Sequence, residues 1–374
     1  MTIGWQYLYL FTFFAGALLA LGLTPVFKKI AVLTDFMDRP KGEAHKGHGK
    51  ATPLLGGASM LSAWLIVIVG GMIFIKFFNP AKISPQLAEN VMGIKMVSGR
   101  LFFICLGAVM GTVLGLLDDK FGMPAKVKFS GQFLVAAVAV ILGGIRISVF
   151  FSNPIIVCSI SIFWFMMLMN AINFFDNMDS LAVGTVTIAM GLFTAVAVVN
   201  QQYFIAAIGA VSCGVGVGFW FFNKPPASIF MGDSGSHLLG YFAAMLSSSV
   251  TYFSHVDSMT KLPVLVPIFI LAVPLFDTLA VVVIRLCKGK PIYVGDHNHI
   301  SHRFVRMGMT RKRAVQMVHL LALIIGLSVL PILWGSLKVA IVCLIQAVLL
   351  LLLVSMLQYA VTIGASESHT LRKD

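Results

Sequence analysis

The chain has 374 residues, 59% of them hydrophobic and 11% charged, with 27 Lys and Arg against 14 Asp and Glu. A soluble domain carries roughly 25% charged residues, so the composition excludes one and describes an integral membrane protein. The cationic surplus collects in loops on one side of the membrane, which accounts for it without a nucleic-acid partner. Five cysteines, Cys105, Cys158, Cys213, Cys287 and Cys343, are scattered without Cys-x-x-Cys spacing, which argues against a disulfide framework or a Cys-based zinc site.

A spanning helix needs about 20 mostly apolar residues. Eleven segments fit, at 5–24, 54–78, 101–117, 133–151, 154–171, 181–200, 203–222, 237–252, 262–284, 315–334 and 339–359. No cationic stretch precedes the first of them, whose first Lys is Lys28. It is expected to be a retained helix, although Ala15-Gly16-Ala17 imitates a cleavage site. Twenty of the 27 Lys and Arg fall in one set of alternate connections (Lys28 to Lys50, Lys120 to Lys128, Lys224, Arg285 to Arg313, Arg372 and Lys373). The other set holds Lys76, Lys82, Lys95, Arg100, Arg146, Lys261 and Lys338. The positive-inside rule puts the richer set in the cytoplasm, the N-terminus outside and the C-terminus inside. The expectation is an all-α, polytopic bundle of about eleven helices, one domain over 1–374, in the inner (plasma) membrane.

The acids follow the same partition. Asp118, Asp119, Asp176, Asp179, Asp233 and Asp296 fall in cytoplasmic connections or at their helix junctions, whereas the outer side holds Glu89 and Asp257. Asp277 lies inside a spanning segment. The chemistry is therefore expected on the cytoplasmic face, in loops 35–57, 118–130, 170–184, 223–236 and 285–313.

The stretch Asn170 to Gly184 carries Asn170, Asn173, Asp176 and Asp179 with no basic residue nearby. Unpaired acids where a spanning segment ends are costly unless something binds them. Asp118-Asp119 close the third span. Adjacent carboxylates suit Mg²⁺, and they equally suit a solvated helix end with Lys120 as local partner. Lys126, Lys128 and Gln132 follow, able to reach a lipid phosphate or to snorkel. In the run from Asn223 to Ser236, Gly232 and Gly235 flank Asp233 and Ser234, so backbone can approach a ligand closely. Ser234 and Ser236 are expected to cap the next helix, whose N-terminus would then face an anion. His297, His299, His302 and Arg303 match no common zinc spacing; beside Arg303 they suit phosphate oxygens, or they belong to a basic loop that fixes topology. Lys46, His48, Gly56 and Gly57 in the first loop are uninformative alone.

Taken together, these loops resemble the polyprenyl-phosphate N-acetylhexosamine-1-phosphate transferase superfamily (the glycosyltransferase family 4 type). The likeness runs from about Asp38 to Arg313, nearest to the bacterial UDP-GlcNAc:undecaprenyl-phosphate GlcNAc-1-phosphate transferases. Lys46/His48 with Pro53, Gly56 and Gly57 resembles its first loop, and Asp118-Asp119 with Lys128 and Gln132 its acidic pair. Asn170/Asn173/Asp176/Asp179 resembles its Asn-x-x-Asn-x-x-Asp-Gly-x-Asp-Gly signature. Asn223 with Phe230 to Ser236 resembles its nucleotide and metal loop, and Pro274-Leu-Phe-Asp277 its Pro-x-x-Asp. Asn177 and Ser180 stand where the signature has Gly, and Ser301 where many members have a further His.

The resemblance implies transfer of a hexosamine-1-phosphate from a UDP-N-acetylhexosamine to undecaprenyl phosphate with Mg²⁺, or Mn²⁺ in its place. It also implies metal ligation by Asp233 with Asp118 and Asp119 alongside, a uridine pocket of Asn223, Asp176, Asp179 and a stacking Phe230, and substrate binding by Asn173. Lys46, His48 and Lys128 would contact substrate, and His299, His302 and Arg303 would act at the phosphates. A homodimer is compatible with it. Two rivals remain: the same chemistry with UDP-muramoyl-pentapeptide as donor, and a cation-coupled transporter, for which acids would lie near the bilayer midplane.

Overall fold

A computed structural model describes residues 5–39, 51–77, 85–147, 151–252, 261–287, 289 and 299–370, with side chains of 85–97 and 360–370 left aside. It is helical almost throughout. A two-residue antiparallel pair, β1 (Met37–Asp38) with β2 (Thr52–Pro53), is the sheet among the described residues. The chain falls into two compact units, Met1–Thr251 and Tyr252–Asp374.

The first unit contains α1 (Trp5–Leu33), α2 (Gly56–Phe77), α3 (Pro85–Phe121), α4 (Ala125–Ala137), α5 (Pro154–Phe175), α6 (Leu181–Val199), α7 (Tyr203–Asn223) and α8 (Gly232–Ser249). Their starts follow ordinary helix chemistry. Pro154 occupies the first turn of α5, where a missing N–H costs nothing, and the Asn153 side chain accepts from the Ile155 N–H at 2.9 Å. α8 is the axis of this unit: it packs against α2, α3, α5 and α6, and 14 of its 18 residues are buried. Gly115 of α3 lets the backbones meet, because a Cβ there would run into Asp233 and Ser234. The polar tips of buried aromatics find partners, as when the Tyr241 hydroxyl donates to the Ile104 carbonyl at 2.8 Å.

The second unit contains the short α9 (Val266–Ile270), α10 (Ala272–Cys287), α11 (Ile300–Arg306), α12 (Arg311–Ser328) and α13 (Leu337–Thr370). α13 presents Leu349, Leu352, Leu353 and Met356 outward, as a lipid-facing helix does.

Among the described residues nine helices are long and apolar enough to cross a membrane, or ten if the bent pair Leu262–Ile270 and Ala272–Cys287 counts as one. Two expected spans differ. The crossing expected at 133–151 begins at Ala125 and ends at Leu142, its last turn a π-helix over Val138–Leu142. Lys126 and Lys128 are thus helical instead of lying in a loop. The span expected at 237–252 lies in α8, which is not among those nine. It opens on Gly-Asp-Ser-Gly-Ser-His and ends on Ser-Ser-Ser, tolerable because protein surrounds it.

Candidate active site

The charged groups come from helix ends of the first unit. Asp118 and Asp119 close α3, Asn173 lies in the last turn of α5 with Asp176 as its C-cap, and Asp233 opens α8. Only residues 122–124 separate α3 from α4, so Lys128 folds back over the end of α3. Its ammonium pairs with Asp118 Oδ2 at 2.6 Å and Asp233 Oδ2 at 2.7 Å, and donates to Asn173 Oδ1 at 3.2 Å. Lys120, the local partner suggested by sequence for the acidic pair, lies over the Phe121 ring instead. Asn173 also donates from Nδ2 to Asp233 Oδ1 at 2.8 Å. A third of the Asp233 side chain stays exposed, leaving one face open.

Asp119 does something different. Its two oxygens accept the N–H groups of Asp233 (2.8 Å) and Ser234 (3.1 Å), the otherwise orphaned donors of α8. Ser234 and Ser236 therefore do not cap this helix as expected; their hydroxyls donate back to the carbonyls of Met231 (3.0 Å) and Asp233 (3.2 Å). The anion favoured at a helix N-terminus is here a carboxylate of the same protein. Gly232 permits the approach: its φ is +67°, and a Cβ would stand 2.5 Å from Asp119 Oδ2.

The turn after α5 is stapled to the loop before α8. Asp179 Oδ2 accepts the Ala227 N–H at 2.9 Å. Buried Asn223 accepts the Ser180 N–H and donates to the Ile229 carbonyl, both at 3.0 Å. Ser180, standing where the family signature has Gly, carries φ +62°, the left-handed conformation that Gly adopts without strain. Phe230 is half-buried; its N–H donates to the Pro53 carbonyl at 2.8 Å and its carbonyl accepts from Gly56 at 3.1 Å. Asn223 thus spends its whole amide, and Asp179 one carboxylate oxygen, on holding the loop. The Asp176 N–H donates to the Ile172 carbonyl at 3.1 Å, and its carboxylate makes no hydrogen bond or ion pair among the described residues.

Electrostatics separates the acids. Burial, then the carboxylates of Asp233, Asp179 and Asp119, pushes the Asp176 carboxyl well above the ordinary range. Burial acts upward on Asp233 too, but the Lys128 ammonium and hydrogen bonds overcome it and hold that carboxyl down at about 2.

In the second unit, His299 and Asp277 form a buried pair, Nδ1 to Oδ2 at 2.7 Å, and Asp277 Oδ1 accepts the Ile300 N–H at 2.5 Å. This accounts for an acid inside a spanning segment. His302 and Arg303 follow on α11, with the His302 ring 6.4 Å from His299. Lys46, His48 and His297 lie outside the described residues. Sequence reasoning missed His237, which looks like one polar residue inside a packed helix; its spacing four residues after Asp233 was the available signal.

Residues 101–251 match the pattern of glycosyl transferase family 4. The chain is 31% identical over 346 residues to a probable undecaprenyl-phosphate N-acetylglucosaminyl 1-phosphate transferase of Bacillus subtilis (strain 168), covering 89% of this chain and 88% of that one. It is 30% identical over 304 residues to a decaprenyl-phosphate N-acetylglucosaminephosphotransferase of Mycobacterium leprae (strain TN), 73% and 71% of the two chains. It is also 28% identical over 329 residues to a phospho-N-acetylmuramoyl-pentapeptide-transferase of Bacillus subtilis (strain 168), 82% and 92%. The chain belongs to glycosyl transferase family 4, within the polyprenyl-phosphate N-acetylhexosamine-1-phosphate transferase superfamily. It is a multi-pass membrane transferase.

Proposed function

We propose that the protein transfers N-acetylhexosamine-1-phosphate, GlcNAc-1-phosphate foremost, from a UDP-sugar to undecaprenyl phosphate. UMP is released, and cell-envelope glycan synthesis begins at the cytoplasmic face of the inner membrane. The observation that carries this reading is the Lys128 ammonium held by Asp118, Asp233 and Asn173. These residues form an oxygen cage already gathered around a cation, in a chain whose relatives are named for this transfer.

The cage fits Mg²⁺, or Mn²⁺ in its place. Its donors are two carboxylates and an amide oxygen, and Mg²⁺ commonly takes one or two carboxylates and fills its shell with water and phosphate. Among the described residues no three of His, Cys, Asp or Glu close around a metal, so water and phosphate oxygens would have to complete the shell. Asp118, Asp233 and Asn173 would hold the ion once Lys128 moves aside; when bound, it supplies charge neutralisation at the pyrophosphate and at the leaving UMP. Asp119, with both oxygens on α8 N–H groups, then acts by holding the helix instead of by ligation.

In the reaction an oxygen of the lipid phosphate attacks the β-phosphorus of the UDP-sugar. A P–O bond forms there, the bond to the bridging oxygen breaks, and UMP leaves with that electron pair. Lys128, freed from the carboxylates, neutralises phosphate charge. Asp176, whose carboxylate has no partner among the described residues, is the one to take the last proton from the lipid phosphate. Phe230 stacks on uracil in a pocket whose walls Asp179 and Asn223 hold in shape. His299, His302 and Arg303, to which the resemblance gives a phosphate role, belong to the second unit, where Asp277 orients His299.

The test uses purified protein, undecaprenyl phosphate and Mg²⁺, with UDP-GlcNAc and UDP-muramoyl-pentapeptide offered separately and EDTA as control. Metal-dependent UMP from UDP-GlcNAc alone supports the reading. UMP from the pentapeptide donor alone moves the protein to phospho-N-acetylmuramoyl-pentapeptide transfer, the activity named for its third relative above. No UMP from either returns the transporter, for which a cation cage is equally suited.

A further inference from the structure

Three helices of the site each carry a second polar residue one turn deeper. Gln132 follows Lys128 by four residues on α4, Asn170 precedes Asn173 by three on α5, and His237 follows Asp233 by four on α8. Gln132 and His237 have no exposed surface. In this lower layer the Gln132 and Asn170 amides bond each other reciprocally, Gln132 Nε2 donating back to Asn170 Oδ1 at 3.3 Å. The Met166 carbonyl can only accept, so the Asn170 group 2.8 Å from it is the amide nitrogen. That nitrogen also donates to Gln132 Oε1 at 2.6 Å, which fixes the Gln132 amide and aims its Nε2 at His237 Nε2, 2.9 Å away. An amide nitrogen only donates, so His237 Nε2 must be the bare acceptor and the ring proton sits on Nδ1. Nδ1 lies 2.6 Å from the Asp233 carbonyl, to which it donates. The Ser236 hydroxyl reaches the same carbonyl and accepts from Asn173 at 2.9 Å.

We propose that His237, locked as its neutral Nδ1–H tautomer by Gln132 and Asn170, is a positioning residue that holds Asp233 in line with Lys128 and Asn173 across three helices. It touches no substrate. It sets the height of α8 relative to α4 and α5, and so the geometry of the cage one turn above. Nothing in the family signature described above includes this position. The kinetic part of the inference rests on the proposed transfer reaction; the tautomer does not.

The first measurement is ¹⁵N solid-state NMR of histidine- and glutamine-labelled full-length protein at neutral pH, with the His237 ring assigned through its contact with the Gln132 side-chain amide. A neutral Nδ1–H ring is expected; an Nε2–H ring or an imidazolium overturns the proposal. The second compares His237→Ala with His237→Asn, which keeps a donor near the Nδ1 position. His237→Ala should lower kcat for UMP release by up to about 100-fold, the cost of a misplacement near 1 Å. KM should stay within about twofold, and His237→Asn should recover most of the loss. Equal losses in both variants, or a loss carried by KM, overturns the positioning role. If the wild-type protein releases no UMP, the transfer reading fails while the tautomer still decides the relay.

Discussion

Asp176 and Lys128 make opposite bargains with burial. An acid whose folded pKa is raised binds its proton more tightly when folded, so stability is fully present below about 3.9 and is lost as pH rises through the raised value. Burial and three neighbouring carboxylates put Asp176 in that position. Asp176→Asn should therefore raise the melting temperature of metal-free protein at neutral pH by a few degrees and leave it unchanged below the ordinary carboxylate range, while UMP release is lost. A lower melting temperature at pH 7 would mean the carboxylate is stabilising. Asp233 has the other sign: held at about 2, it contributes stability above about 3.9 that disappears as pH falls toward 2. Lys128→Met keeps the apolar stem and removes the charge between Asp118 and Asp233. Breaking a fully buried pair from one side costs roughly 3–5 kcal/mol; with a third of Asp233 exposed, about 2 kcal/mol is expected. Millimolar Mg²⁺ should restore most of it in a thermal unfolding experiment, and a variant as stable as wild type without Mg²⁺ would argue against the cage.

At the scale of elements, the site depends on how closely α3 approaches the start of α8. Gly115→Ala would press a methyl group into the Asp233–Ser234 backbone. Overpacking of this kind costs about 1–3 kcal/mol, and here it also draws Asp119 off the α8 N–H groups. Reduced unfolding temperature together with reduced kcat is expected, and unchanged kcat would mean the helices can separate without cost to the site. The candidate site was legible because acids at the ends of spanning segments stand out against 59% hydrophobic residues, and because Asn170, Asn173, Asp176 and Asp179 resemble a family spacing. What they hold was not. Asp118 looks like the neighbour of Lys120, yet a tight turn brings Lys128 to it; Ser234 and Ser236 look like caps, yet Asp119 of another helix takes that role. Local sequence shows candidates for a hydrogen bond, and only tertiary packing chooses among them. The same limit applies to α8, whose polar ends hide a helix that is buried on nearly every side.

For the whole molecule, the sign of the loops predicts an orientation. Cys substituted for Ser152, in the exposed segment before α5, should react with an impermeant maleimide from outside intact cells. Cys substituted for Lys126, at the start of α4, should react only after lysis, each in a chain with its five native cysteines replaced. The reverse pattern would invert the membrane topology and move the cage to the wrong side for UDP-sugars. Everything else rests on the cage being the place of transfer. The most direct measurement is UMP release by Asp233→Ala, with undecaprenyl phosphate, the preferred UDP-sugar and Mg²⁺, in protein whose detergent-solubilised fold is checked by its thermal unfolding. A fall of at least about 10³-fold, on the scale of losing a principal electrostatic group, is expected in protein that still unfolds cooperatively. Near-normal release from the same protein would contradict the assignment of Asp233 and of the cage around it.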